Sequence, residues 1–165
     1  MGDLVSLTGK LEARRGCLRA TSAADWYERG LAHEAAAQPD AAITAYRRAL
    51  DSRPELPDAC NNLGRLLHDR DQLGDAESLY RLAICAAGEV ALYWFNLGVV
   101  LEDADRCAEA IRAYEQAIAL DATLADAHFN LARQLEQVGR RSTDELVLRR
   151  AVRHLKRYRD LVRTA

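Results

Sequence analysis

Four residue positions recur along this chain at a fixed spacing of 34. Gly30, Gly64 and Gly98 form one ladder, Ala42, Ala76 and Ala110 a second, Tyr46, Tyr80 and Tyr114 a third, and Ala49, Ala83 and Ala117 a fourth. A period of that length constrains the fold strongly, because one copy is too short to enclose a core and must bury its apolar face against the next copy. Within each copy the apolar and small residues follow helical spacing. Cys60, Leu63, Gly64 and Leu67 stand at i, i+3, i+4 and i+7, as do Trp94, Leu97, Gly98 and Leu101. Two helices per copy are predicted, the second marked by the Ala-Tyr-Ala ladder. Pro54 is expected to stop the first of these second helices, with Gly88 and Ala122 in its place in the next two copies.

Glycine inside a helix costs about 1 kcal/mol against alanine. Three glycines in register therefore predict close approach of a neighbouring helix backbone, with the tyrosine filling the gap between copies. Ala132 takes the glycine's place in a fourth copy. This combination of Leu-Gly followed by Ala, Tyr and Ala resembles the tetratricopeptide repeat in its small bacterial type, over roughly residues 23–138. The resemblance implies an all-α, right-handed superhelical solenoid of antiparallel helix pairs. The expected division is a tail or loose cap over 1–22, then repeats over 23–56, 57–90 and 91–124. A degenerate fourth repeat with an extended capping helix is expected over 125–165. Leu4, Leu7, Leu11 and Leu18 space only partly as a helix, interrupted by Gly9 and Gly16. Ser22 with Asp25 marks the first ordered helix start.

In the fourth copy Asp144, Leu148 and Ala151 stand where Ala, Tyr and Ala are due. Shifted by seven residues, Ala151, Leu155 and Tyr158 fit better, and seven residues are close to two helical turns. Gly139 is predicted at the turn, Ser142 with Glu145 as a capping box, and a long final helix from about Thr143. Its stripe Leu148, Ala151, Val152, Leu155, Tyr158 and Val162 is expected to close the solenoid. Charge divides along the chain: residues 1–139 carry 14 Lys and Arg against 22 Asp and Glu, and residues 140–165 carry 9 against 3. Arg149, Arg153, Lys156 and Arg163 form a basic face of the final helix, read as a solvated cap surface rather than a nucleic-acid contact.

With no run of 18 apolar residues and a charged, glycine-containing start, membrane insertion and a secretory leader are not expected, and a cytoplasmic protein is. Cys17, Cys60, Cys85 and Cys107 lack CxxC spacing and predict reduced thiols rather than disulfides or a metal site. No GxxxxGK[ST], GxGxxG, HExxH or GxSxG motif is present, so neither catalytic residues nor a cofactor are expected. His33 and His128 fall at packing positions; His68 and His154 read as isolated.

A fifth ladder, Asn62, Asn96 and Asn130, lies off the buried stripe, on the face that lines the inner surface of a stacked solenoid. Each carboxamide offers one acceptor and two donors, enough to hold the main chain of an extended peptide or to bond across to the next helix. The ladder is similar to the asparagine row in the repeat arm of the O-linked N-acetylglucosamine transferases, where the resemblance implies a grip on substrate main chain.

By helical spacing the first copy adds Tyr27, Glu28, Leu31 and Glu34 to this face, and the second Asp58, Asn61, Arg65, His68 and Asp69. The third adds Leu92, Phe95, Val99, Glu102 and Asp103, and the fourth Asp126, Phe129, Arg133 and Glu136. Tyr27, Leu31, Leu92 and Asn96 stand where the carboxylate clamp of chaperone-binding repeats places Lys, Asn, Lys and Arg, so no clamp is expected. The expected partner is a basic or neutral protein segment with apolar anchors for Tyr27, Phe95 and Phe129, bound by an adaptor or assembly scaffold. A secretion-type chaperone and a nucleic-acid-contacting regulator are the alternatives.

Overall fold

The computed structural model describes residues 21–164. Residues 1–20 of the tail expected over 1–22, with its leucines and Cys17, lie outside the described residues. Those described form eight α-helices and no strand. They are α1 Ala23–Ala35, α2 Pro39–Ser52, α3 Pro57–His68, α4 Leu73–Ala86, α5 Ala91–Asp103, α6 Cys107–Leu120, α7 Ala125–Ser142 and α8 Glu145–Thr164. Consecutive helices pack as antiparallel pairs, and pairs stack in chain order into an all-α solenoid.

Local chemistry sets the helix ends. Ser22 caps α1 in the expected capping box: the Asp25 amide donates to Ser22 Oγ at 3.1 Å, and the Ser22 amide to Asp25 Oδ2 at 2.9 Å. Pro39 and Pro57 occupy the first position of α2 and α3, where a missing N–H costs nothing. Ala37, Asp71 and Asp105, again 34 apart, take the left-handed φ that reverses the chain between the helices of a pair.

The core runs the length of the solenoid and is built from the ladders. Tyr46, Tyr80 and Tyr114 are at most 1% exposed, and the ladder alanines are fully buried. The glycines serve these tyrosines. A Cβ on Gly98 would lie 2.5 Å from Tyr114 Cε1, and one on Gly64 3.0 Å from Tyr80 Cε1; Gly30 faces the Tyr46 ring in the same way. This corrects the expectation of a neighbouring backbone: what needs the space is an aromatic ring of the same pair's second helix.

The fourth pair departs from the pattern by lengthening. Its left-handed residue is Thr143, four positions beyond 139, where the period would place it. α7 has 18 residues and α8 has 20, against 12 to 14 in the other helices. The seven-residue shift is thus about one added helical turn on each side of the hairpin, which preserves the facing stripes. Gly139 is therefore not the turn: it is buried inside α7, where a Cβ would lie 2.8 Å from Leu148 Cδ2 and 3.2 Å from the Leu148 amide nitrogen.

The predicted capping box does not form. Ser142 belongs to α7 and donates to Val138 O at 2.9 Å, while Asp144 caps α8 by accepting from the Leu146 and Val147 amides at 2.9 and 3.3 Å. The closing stripe is also narrower than expected. Ala151 is buried and Val147, Leu148, His154 and Tyr158 are half-buried, but Val152, Leu155 and Val162 are 67%, 49% and 54% exposed.

His154 is not isolated either. Its Nδ1 lies 2.9 Å from Nδ1 of buried His128, whose Nε2 lies 3.3 Å from Ala122 O. With His128 Nε2 donating to that carbonyl, His128 Nδ1 accepts from His154, so the pair is satisfied when both rings are neutral. Burial holds both pKa values below that of free imidazole. At His128, Ala122 O opposes this and Arg157 adds to it; at His154, His128, Arg150 and Arg153 add to it against Glu115. A base with a depressed folded pKa takes up protons first in the unfolded chain. This part of the stability is complete above the unfolded value of about 6.5 and declines as pH falls below it. The melting temperature is therefore expected to drop between about pH 7.5 and pH 5.5, above the carboxylate range. The drop should be largely absent in His128→Gln/His154→Gln, measured by circular dichroism; an equal drop in that variant would place the titration elsewhere.

Candidate peptide-binding surface

The first helices of successive pairs, α1, α3, α5 and α7, are joined side to side by polar contacts that make one continuous face. Arg65 on α3 pairs with Glu34 on α1, and Arg133 on α7 with Glu102 on α5. Each glutamate also accepts from a buried tyrosine of its own pair, Tyr46 Oη to Glu34 at 2.6 Å and Tyr114 Oη to Glu102 at 3.0 Å. Between these two cassettes, His68 Nε2 meets Asp103 at 2.6 Å, so His68 has a partner contrary to expectation, and Tyr93 Oη donates to Asp58 at 2.5 Å. Burial pushes the phenol pKa of Tyr46, Tyr93 and Tyr114 above its ordinary value, at Tyr93 with the help of Asp58, and keeps all three as donors.

The asparagine ladder sits at the centre of this face, half-buried. Asn62 Nδ2 donates to Tyr46 Oη and Asn130 Nδ2 to Tyr114 Oη, each at 3.4 Å, while Asn96 Nδ2 donates to Asn61 Oδ1 at 2.8 Å. The middle rung differs because Asn61 replaces the aromatic found at that position in the other copies. Expected on the open face, Asn61 is only 6% exposed and also donates to Asn62 Oδ1 at 3.2 Å. Each rung is thus oriented by one bond across to a neighbouring helix. The Oδ1 atoms of Asn96 and Asn130 have no partner among the described residues.

The aromatics stand beside the ladder. The Tyr27 and Phe95 rings lie 5.8 and 5.9 Å from Tyr46 and Tyr114, and Phe129 lies 5.1 Å from Tyr158. Phe129 and Leu92 are 37% and 48% exposed, Tyr27 and Val99 half-buried, and Arg65, Arg133, Asp58 and Asp126 exposed. All of the sequence-predicted site residues therefore fall on the first helices. The ion pairs were missed, although the Glu34–Arg65 spacing of 31 recurs as Glu102–Arg133 and is itself a periodic signal.

A family model described as "Tetratricopeptide repeat" matches residues 27–91, and a second, "TPR repeat", matches 106–139. The chain belongs to the tetratricopeptide-repeat family. No curated protein matches this tetratricopeptide-repeat chain in sequence. Among solved structures, a crystal structure of MamA superposes with a TM-score of 0.78 at 19% identity, covering 87% of this chain and 80% of that one. MamA 41-end from Desulfovibrio magneticus RS-1 gives 0.74 at 21% identity, covering 99% and 98%. The first TPR of Spaghetti (RPAP3), bound to HSP90 peptide SRMEEVD, gives 0.69 at 20% identity, covering 72% and 94%. At these identities the likenesses show the repeat solenoid. Among the described residues no helix is long and apolar enough to cross a membrane.

Proposed function

We propose that this tetratricopeptide-repeat protein is a non-catalytic adaptor or assembly scaffold that holds an extended protein segment along the face of α1, α3, α5 and α7. The observation that carries this reading is the asparagine ladder. Its carboxamides are oriented by bonds to Tyr46, Asn61 and Tyr114, yet the Oδ1 atoms of Asn96 and Asn130 have no partner among the described residues. Such groups bind main chain with little ordering cost. Tyr27, Phe95 and Phe129, each one residue before the ladder position of its copy, supply apolar anchor points beside it.

The segment is basic or neutral. Glu34 and Glu102 are matched by Arg65 and Arg133, but Glu28, Asp58 and Asp126 have no cationic partner among the described residues. Screening the full chain against an array of peptides of varied charge should select segments with Lys or Arg interspersed with apolar residues, with binding weakened by salt. Preferential capture of strongly acidic peptides would overturn the charge assignment. The basic face of α8 is a solvated surface on this reading: Arg149 bridges to Glu145 at 2.7 Å and Arg150 pairs with Glu115 on α6. At physiological salt the chain should show no more than feeble binding to DNA or RNA, because four cations neutralise few phosphates.

A further inference from the structure

The last pair of the solenoid leaves an apolar edge open. α3, α5 and α7 each pack on the second helix of the preceding pair, with Ala59 and Leu63, Tyr93 and Leu97, and Ala127 and Leu131 buried at equivalent positions. The following helix also covers the ladder tyrosine: Asn62 reaches Tyr46 and Asn130 reaches Tyr114 in this way. α8 carries no such successor among the described residues. Leu155, which holds the tyrosine's place in the shifted register, is 49% exposed where the three tyrosines are at most 1%. Val152 and Val162 lie exposed on the same edge. Beside them a cavity of about 440 Å³ opens between α7 and α8, lined chiefly by Phe129, Ala132, Leu148, Val152 and Leu155.

A second copy stacked head to tail does not fit this edge. Its α1 would present exposed Asp25 and Arg29 where α3, α5 and α7 bury a small or aromatic residue and a leucine, and charges set against an apolar surface lose hydration without return. Two α8 edges set against each other would bring like charges together, since residues 140–165 carry 9 Lys and Arg against 3 Asp and Glu. Arg159, on the edge between Leu155 and Val162, has no acidic partner among the described residues. We propose that the open edge of α8 is the docking site for one amphipathic helix of a partner protein. Its apolar stripe has the spacing of Ala59, Leu63 and Leu66 on α3, and acidic residues flank it. That helix takes the place that a following first helix holds on α2, α4 and α6, so the contact continues an interface the chain already builds three times. The proposal does not rest on the peptide-binding reading of the first-helix face.

The probe is a synthetic helix of about twenty residues, long enough to hold helical structure alone, with Ala, Leu and Leu in that spacing and glutamates beside them. One control has the same composition with the spacing scrambled, and a second keeps the stripe but replaces glutamate with lysine. Amide shifts of the full chain at Ala132, Leu148, Val152, Leu155 and Val162 are expected with the acidic helix. The lysine helix should bind more weakly, by a margin that shrinks as salt is raised, and the scrambled peptide should give no shifts. Val152→Gln/Leu155→Gln should abolish binding. Both side chains are exposed and glutamine is a good helix former, so the variant should keep its helicity and urea midpoint. Equal response to the scrambled peptide, unchanged binding by the variant, or shifts confined to residues around Asn62 and Asn96 would overturn the proposal. Sedimentation showing a dimer that is lost in the same variant would assign the edge to a second copy and overturn it as well.

Discussion

Truncating Tyr114 to alanine is expected to destabilise the chain by about 3 to 5 kcal/mol, and adding a methyl group at the facing Gly98 by about 1 to 3 kcal/mol. The tyrosine is fully buried, bonded to Glu102 and Asn130, and packed against the tilted Phe95 ring at 5.9 Å, so its removal leaves both a void and unmatched polar groups. An alanine Cβ at Gly98 would stand 2.5 Å from that ring, and the gain of about 1 kcal/mol in helix propensity does not offset the overlap. Gly64→Ala is the internal control. There the Cβ would lie 3.0 Å from the Tyr80 ring, a gap that a small ring shift can open, and the substitution should be near neutral. Urea denaturation of the three single variants and of Gly98→Ala/Tyr114→Ala checks the pairing. The double variant should cost less than the sum, because the methyl group then enters space the ring has left. Strict additivity would show that glycine and tyrosine are not matched to each other.

The second large effect is on binding. Asn62→Ala/Asn96→Ala/Asn130→Ala should weaken capture of an array-selected peptide on the order of tenfold to a thousandfold, each lost bond contributing about 0.5 to 1.5 kcal/mol. The fold should survive, since the Asn62 and Asn130 bonds to tyrosine are long, 3.4 Å each, and only Asn96 makes a short bond, to Asn61. Circular dichroism and urea midpoints recorded on the same samples separate the two roles. An unfolded triple variant would make the ladder a structural seam between pairs, and a folded one with undiminished binding would remove it from the site.

The ladders made the solenoid legible because one 34-residue copy repeats both the helical phase and the small residues at close contacts. Contacts between copies were less legible. Gly98 signalled crowding, but whether a backbone or a ring fills the space depends on how α5 and α6 are rotated about their axes, which spacing alone leaves open. Ser142 and Asp144 are both good caps. The choice between them was made by the extra turn of α7 that packs Gly139 against Leu148. His128 and His154 lie 26 residues apart on helices whose register depends on that same added turn, so their pairing had no local signature. At the candidate site, helical phase was enough to gather Tyr27, Asn62, Phe95, Asn96 and Asn130 on the first helices. It did not show that Arg65 and Arg133 are engaged by Glu34 and Glu102, because long flexible side chains reach across helices in directions that Cα positions do not fix.

On the proposed function, the face of α1, α3, α5 and α7 holds an extended segment. Amide and side-chain carboxamide shifts of the full chain, followed as an array-selected peptide is added, test it most directly. The predicted result is a contiguous set of shifts including the Nδ2 resonances of Asn62, Asn96 and Asn130 and the amides around Tyr27, Phe95 and Phe129. Shifts confined to the second helices, or to the exposed apolar edge of α8 at Val152, Leu155 and Val162, would contradict it.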